Sequence, residues 1–254
     1  MEAGCDFKQR IFRNIVYVCS ENWRNDMIVK KRYGRETGRE YALRVLKENI
    51  VMLELEPGSR ISENELASEI GVSRTPIREA LIELSKSKIV KIYPQKGSYV
   101  SLIDWELVEE ALFMRLTLEK AVVRLACQGI EEEKIQELEK NVKLQKFYID
   151  NNEAGELLEL DNQFHKELFA ITNKIHIYRL MSVMMLHFDR LRTLRTKAVD
   201  QRYVIEDHLK ILEAIRNKRP LEGEQVMERH LTRYIIDEKI VKEKYPQYFE
   251  IVEE

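Results

Sequence analysis

Glycine and proline are scarce, 9 and 5 among 254 residues. A chain so poor in both lacks the turn chemistry that a fold of many short strands needs, and it is neither fibrous nor low in complexity. Only three cysteines occur, Cys5, Cys19 and Cys127. They are too few and too scattered for a disulfide framework or a Cys-x-x-Cys metal site, so a reducing cytoplasm is the expected compartment. Arg, Lys or Glu interrupts every apolar run well short of the ~20 residues that cross a bilayer, and no membrane partner is expected. The first 24 residues carry basic groups but no continuous apolar core and no small-residue cleavage site, unlike a signal peptide.

What is present is 44% apolar and 34% charged, enough for a real core under well-solvated helix faces. The net charge of −2 hides an asymmetry. Residues 1–100 hold 18 Lys and Arg against 14 Asp and Glu, whereas the rest holds 24 against 30. Such a division suggests that the first part meets a polyanion and the second does not.

Residues 1–35 read as an N-terminal arm of unknown structure, with Met27 a candidate second start. From Tyr41, residues Ala42, Leu43, Val45, Leu46, Ile50 and Leu53 recur at helical spacing up to the Pro57-Gly58 turn. Ser62 and Glu65 have the spacing of a capping box, and Leu66, Ala67 and Ile70 form the apolar face of a short helix that stops at Gly71. Ser73 caps the next helix, which tolerates Pro76 in its first turn and buries Ile77, Ala80, Leu81 and Leu84. Two short helices about a glycine turn make a helix-turn-helix. The β-prone runs 89–93 and 98–102, separated by Pro94-Gln-Lys-Gly97, add a hairpin wing. Past Asp104 the breakers nearly vanish, and helices are expected over 104–127, 131–150, 154–172, 174–197, 201–217 and 220–242. The expected fold is therefore mainly α: a winged helix-turn-helix over 36–103, then an antiparallel bundle of six to seven helices over 104–245.

In a helix-turn-helix the N-terminal end of the second helix enters the major groove. Here that end carries Ser73, Arg74, Thr75 and Arg78. Arg74 and Arg78 are four residues apart and share the face opposite the apolar one, where guanidinium forks suit guanine edges or phosphates. Ser73 and Thr75 suit phosphate oxygens, and Lys96 and Gly97 at the wing tip are placed to approach the backbone or minor groove. Alone, the two arginines are also compatible with an ordinary solvated face partnered by Glu79 and Glu83.

The stretch from Ile61 to Leu81, ISENELASEIGVSRTPIREAL, resembles the winged-helix signature of GntR-family transcription regulators, and the helical part resembles the FadR-type ligand-binding domain called FCD. Together the resemblance spans about residues 40–240. It implies DNA contacts at Arg74, Thr75, Arg78 and Gly97. Asn64 stands where some members place a DNA-touching arginine, and it enters the candidate interface as a departure from the pattern.

In the second part, Asp161 and His165 are separated by four residues and leave one helix face together, while His208 and His230 fall on later helices. Spacing leaves open whether they meet, since Asp–His pairs at this spacing are common on surfaces. The resemblance implies that they do, because metal-binding FCD domains have Asp-x-x-x-His on one helix and single histidines on two later ones. A divalent ion follows as the implied cofactor, zinc first, with nickel or manganese as alternatives. A cation so held attracts a small carboxylate effector, for which Arg115 is the candidate second anchor. The other reading of Arg115 is a structural pair with Glu119. Arg192 and Arg195 read as an exposed basic face, and His176 and His187 as surface or interface residues. No His-Glu-x-x-His and no nucleophile elbow occurs, so an enzyme is not expected.

The resemblance thus implies a cytoplasmic, homodimeric repressor that binds a palindromic double-stranded operator under the control of a small carboxylate. A regulator responding to metal alone, without an organic effector, is the alternative.

Overall fold

Thr37 opens the first helix, α1 (Gly38–Val51): its hydroxyl accepts from the Glu40 backbone N–H while the Glu40 carboxylate accepts from Thr37, a complete capping box. α2 (Glu63–Ile70) begins after Ser62, whose hydroxyl accepts from Glu65 N–H at 3.4 Å, and ends on Gly71 in the left-handed conformation at φ 75°. α3 (Arg74–Lys86) starts at Ser73, but the Ser73 hydroxyl makes no capping bond. Ile77, Ala80, Leu81 and Leu84 of α3 are buried, as are Val45, Leu46 and Ile50 of α1, and the two helices pack together as the core of this part.

The computed structural model describes residues 10–12, 15–17, 27–151 and 154–250. Most of the N-terminal arm, with Cys5 and Cys19, lies outside the described residues. Within it, β1 (Arg10–Phe12) and β2 (Ile15–Tyr17) pair antiparallel. The wing is built of β4 (Val90–Tyr93) and β5 (Gly97–Val100), joined as expected by a tight hairpin. A third strand escaped the sequence reading: β3 (Arg60–Ile61) pairs antiparallel with β5, giving the order β3-β5-β4. Two residues are too short a run to show an alternating pattern. Gly97 adopts φ 109°, a conformation that L side chains rarely adopt, so the backbone holds this position for glycine.

The chain forms two compact units, one of residues 1–105 with 245–254, the other of Glu106–Lys244. The first therefore includes the C-terminal segment. There Ile103 N–H donates to the Tyr248 carbonyl at 2.7 Å, Glu250 N–H donates back to Ile103 at 3.1 Å, Phe249 is buried beside Trp105, and Lys91 of the wing pairs with Glu250.

The second unit is helical throughout its described residues: α4 (Trp105–Ala126), α5 (Glu132–Asp150), α6 (Ala154–Ile171), α7 (Ile175–Met184), α8 (Leu186–Ala198), α9 (Arg202–Arg216) and α10 (Pro220–Lys244). The single helix expected over 174–197 is two, divided at Met185. No glycine or proline marks the break. It separates α7, which leaves Leu180, Val183 and Met184 exposed, from α8, whose residues 186–195 are all buried. Gly223 lies where a Cβ would meet Val123 at 2.7 Å, so its absence of side chain lets α10 lie close against α4. No helix among the described residues is long and apolar enough to cross a membrane.

Candidate metal centre and DNA-reading face

α6 presents Asp161 and His165 one turn apart, α9 presents His208 and α10 presents His230; all four are buried, and one donor atom from each lies within 4.8 Å of the others. His208 Nε2 stands 3.4 Å from Asp161 Oδ1, His165 Nε2 stands 3.6 Å from Asp161 Oδ2, and the Nε2 atoms of His165 and His230 are 3.2 Å apart. Donors each ~2.1 Å from one ion lie roughly 3 to 3.5 Å from one another, so the spacing suits a first-row divalent cation.

The protonation pattern argues the same way. The outward nitrogen of His165, Nδ1, lies 2.5 Å from Glu119 Oε2, and Nδ1 of His208 lies 3.0 Å from the Gln145 side-chain oxygen. The Gln145 acceptor fixes the His208 proton on Nδ1 and leaves its Nε2 as a lone pair facing inward, the usual support of a metal-binding imidazole, whereas Glu119 lies against His165 Nδ1 as a close contact without hydrogen-bond alignment. His208 Nε2 and His230 Nδ1 are buried without a hydrogen-bond partner. Burial pushes the His208 imidazole down to about 4 against the pull of Asp161. Burial, reinforced by Arg115, also holds His165 well below its ordinary value, and burial with the neighbouring imidazoles does so for His230. The three rings are therefore neutral near pH 7. Burial disfavours ionised Asp161, but Arg192 and then His165 and His208 hold its carboxyl below the usual range. Three neutral imidazoles and a carboxylate crowded together, with a single proton to share between the Nε2 atoms of His165 and His230, are an arrangement that a cation relieves.

Beside this cluster lies a cavity of about 50 Å³ lined by Arg115, Asp161, Arg192, Arg195, Tyr203 and His230 among others. Arg115 does form the structural pair that the sequence allowed: its Nε donates to Glu119 Oε1 at 2.5 Å, with both residues buried. It lines the cavity as well, so the two readings of Arg115 coexist in one side chain. The expectation for Arg192 and Arg195 is corrected. Neither is an exposed basic face; they are 7% and 8% exposed, with Arg192 on Asp161, Asp189 and Asn162, and Arg195 on Asp237 and Tyr203. Asp161 of α6 and Asp237 of α10 neutralise them from other helices, which no helical spacing reveals, and Asp189 of α8 itself adds to Arg192. His187 is likewise buried, against Arg190, while His176 is exposed. Burial pushes the Cys127 thiol up to about 11, and it is inert packing.

In the winged unit the arginines of α3 are exposed rather than buried. Arg74 and Arg78 are 59% and 61% exposed, and both reach Glu63 of α2, at 3.4 and 2.9 Å, rather than Glu79 or Glu83. Arg78, then burial in opposition, then Arg74 set the Glu63 carboxyl, whose balance lies below the ordinary value. A shallow concavity brings Arg74, Arg78, Asn64 and Gly97 together with Arg60 and Glu63. Ser73, Thr75 and Lys96 are exposed. Arg60 and Glu63 were missed by sequence reasoning: one sits on the strand that was itself missed, the other reads as a capping-turn residue.

Comparison with known proteins places these units in context. The family described as "Bacterial regulatory proteins, gntR family" matches residues 40–100, and the FCD domain matches residues 110–233. The chain is similar to the HTH-type transcriptional repressor RspR of Escherichia coli, 30% identical over 207 residues that cover 81% of this chain and 91% of that protein. It is similar also to the gluconate operon transcriptional repressor of Bacillus licheniformis, 29% identical over 68% of this chain and 73% of that one. In fold it resembles E. coli McbR/YncC, with a TM-score of 0.71 at 19% identity, over 83% of this chain and 99% of that one.

Proposed function

The chain belongs to the GntR family of bacterial transcription regulators and carries an FCD domain, and from this premise we propose that it is a cytoplasmic homodimeric repressor controlled by a small carboxylate at a divalent-metal site. It is a regulator, not an enzyme. Residues 36–103 read DNA and residues 104–245 bind the effector and the second copy. Asp161, His165, His208 and His230 hold the ion, zinc before nickel or manganese, and Arg115 takes the effector carboxylate. When bound, the ion supplies positive charge and open coordination positions for an anion.

The observation that carries this reading is the set of four buried donors drawn within 4.8 Å of one another, with Gln145 holding His208 from behind and Glu119 close against His165. The DNA side rests on Arg74 and Arg78 at the entering end of α3, with Ser73, Thr75, Asn64, Lys96 and Gly97 around them. The dimer is supported by an apolar surface on α4 and α7, where Phe113, Leu180, Val183 and Met184 are more than half exposed. A second copy covering it would give the two-fold that a palindromic operator requires. Coupling is thermodynamic: an effector that prefers one arrangement of the dimer changes operator affinity, and operator changes effector affinity by the same factor.

The test begins with elemental analysis of purified protein and of His165→Ala. The wild type is expected to hold about one divalent ion per chain and the variant to lose it; unchanged metal content in the variant defeats the ligand assignment. Metal is then returned to stripped protein while operator binding is followed by fluorescence anisotropy. A response to metal alone establishes the metal-sensor alternative, whereas a response that needs an added carboxylic acid establishes the effector.

A further inference from the structure

The described arginines of the winged unit are not equivalent. Arg39, Arg44, Arg74 and Arg78 each pair with a glutamate, and Arg32 bonds the Glu36 carbonyl. Arg35 and Arg60 are exposed and make no hydrogen bond or ion pair through their side chains with any described residue. Their main chain is nevertheless held. Arg35 sits in the turn 33–36, which Glu36 N–H closes on the Tyr33 carbonyl at 2.9 Å, and the Glu36 carboxylate ties that turn to Arg44 of α1. The Arg44 guanidinium also lies over the Tyr33 ring, 4.1 Å from its centre. Arg60 opens β3 and pairs across the sheet with Tyr99.

The two stand on different flanks of the reading helix. At about 100° per residue, Thr75 lies opposite the buried face of α3, with Arg74 and Arg78 to one side of it and Pro76 to the other. Arg60 shares a concavity with Arg74 and Arg78, and a Cβ at Gly97 on the wing tip would stand 3.4 Å from Arg60 Nε. Its guanidinium thus lies between the wing and the Arg74 side. On the other flank, a Cβ at Gly38 would lie 3.7 Å from the Pro76 ring, so the start of α1 meets the first turn of α3. Arg35 precedes that contact by three residues.

A helix in the major groove has a phosphate strand on either side. A guanidinium already on a carboxylate must give up that contact to take a phosphate, whereas one facing only water does not. We infer that Arg35 and Arg60 grip the phosphates on opposite walls of the groove that α3 enters, and so supply a sequence-independent share of duplex affinity. This rests on the DNA-reading face proposed above and assigns backbone contacts that frame it.

The test is fluorescence anisotropy of a labelled random-sequence duplex with the full chain over a salt series. Arg35→Ala and Arg60→Ala are each expected to lower the slope of log affinity against log salt by about 1 per bound chain, and to weaken binding roughly 5- to 10-fold near about 0.1 M salt. The two together are expected to lower the slope by about 2. Arg35→Lys and Arg60→Lys are expected to keep the slope, because a phosphate needs a charge rather than a fork. Thermal midpoints of all these variants are expected to match wild type, since neither side chain bonds within the fold. An alanine variant with the wild-type slope overturns the inference, as does a lysine variant as weak as its alanine counterpart. A slope lost only together with the thermal midpoint overturns it too. Failure of the wild-type protein to bind any duplex at low salt defeats the DNA-reading face itself, so the two failures are distinguishable.

Discussion

The two units use the same residue types under opposite conditions. In the winged unit, Arg74 and Arg78 lie in water and share Glu63; in the helical unit, Arg115, Arg192 and Arg195 are at most 8% exposed and are matched by buried carboxylates, Glu119 on the helix of Arg115 and Asp161 and Asp237 on helices other than α8. Exposed pairs are weak and screened by salt, so a polyanion displaces Glu63 readily and the arginines remain available. Buried charges are strong and mutually dependent, because each guanidinium left alone would have lost its hydration without replacement. The first arrangement suits a large, mobile, highly charged partner. The second suits a small ligand whose few acceptors must match fixed positions.

The comparison breaks most visibly at Glu119, which faces both Arg115 and His165. Glu119→Ala is expected to destabilise the metal-free protein by about 3 kcal/mol, since it leaves a buried guanidinium uncompensated. It is also expected to weaken metal binding by ~10–100-fold, since it removes the support of a ligand imidazole. Thermal denaturation and competition with a metal indicator check the two effects. If the variant is as stable as wild type, the pair is not the buried anchor described above.

Acid gives the next effect. The folded-state pKa of His208 is lowered to about 4, and those of His165 and His230 are lowered as well. The unfolded chain, with histidines near 6.5, therefore binds more protons than the folded chain below that pH. Stability of stripped protein should be full above pH 6.5 and fall as pH drops toward 4, by about 1.4 kcal/mol per pH unit for each histidine that stays neutral in the fold. Urea denaturation across pH 4–7 measures this. A flat profile would show that the rings are not held neutral.

How much of this was legible depended on the range of the signal. The helix-turn-helix is written in local chemistry, the Ser62 cap, the left-handed Gly71 and the apolar spacing of α3, and each acts within a few residues. The quartet Asp161, His165, His208 and His230 was nameable because its first two members share a helix face and the family resemblance added the others. Gln145, Asp237 and the contact of Glu119 with His165 were not, because each spans 42 or more residues of chain, whereas the local Arg115–Glu119 pair was read from its spacing. Distance along the chain also explains the misreading of Arg195, paired with Asp237, and of Arg192, whose Asp161 partner is 31 residues away. Sequence pattern assigns charged residues to the surface by default, and only tertiary pairing reverses it. The α7–α8 break at Met185 carries no breaker residue and follows from what each helix packs against.

The exposed side of the comparison should respond in DNA binding and hardly at all in stability. Arg74→Ala and Arg78→Ala are each expected to weaken operator binding by about 1–3 kcal/mol while shifting stability by less than about 0.5 kcal/mol. Anisotropy against a salt series separates their roles: an arginine on phosphate lowers the salt slope by about 1 and weakens all duplexes alike, whereas one on a base edge relaxes sequence preference.

The smallest effect, at Glu63, is the most diagnostic of what the exposed pairs are for. Its carboxylate lies on both Arg74 and Arg78, so a duplex bound through these arginines as proposed must compete with it, and random DNA would gain least from the exchange because it offers no matched base edges. Glu63→Gln should leave stability within about 1 kcal/mol of wild type, as expected for an exposed pair. It should raise affinity for random duplex by a few fold while changing operator affinity less, so the ratio of specific to non-specific binding falls. If both affinities rise equally, Glu63 only lowers the net positive charge of the face; if neither moves, the pair dissolves in solution before DNA arrives.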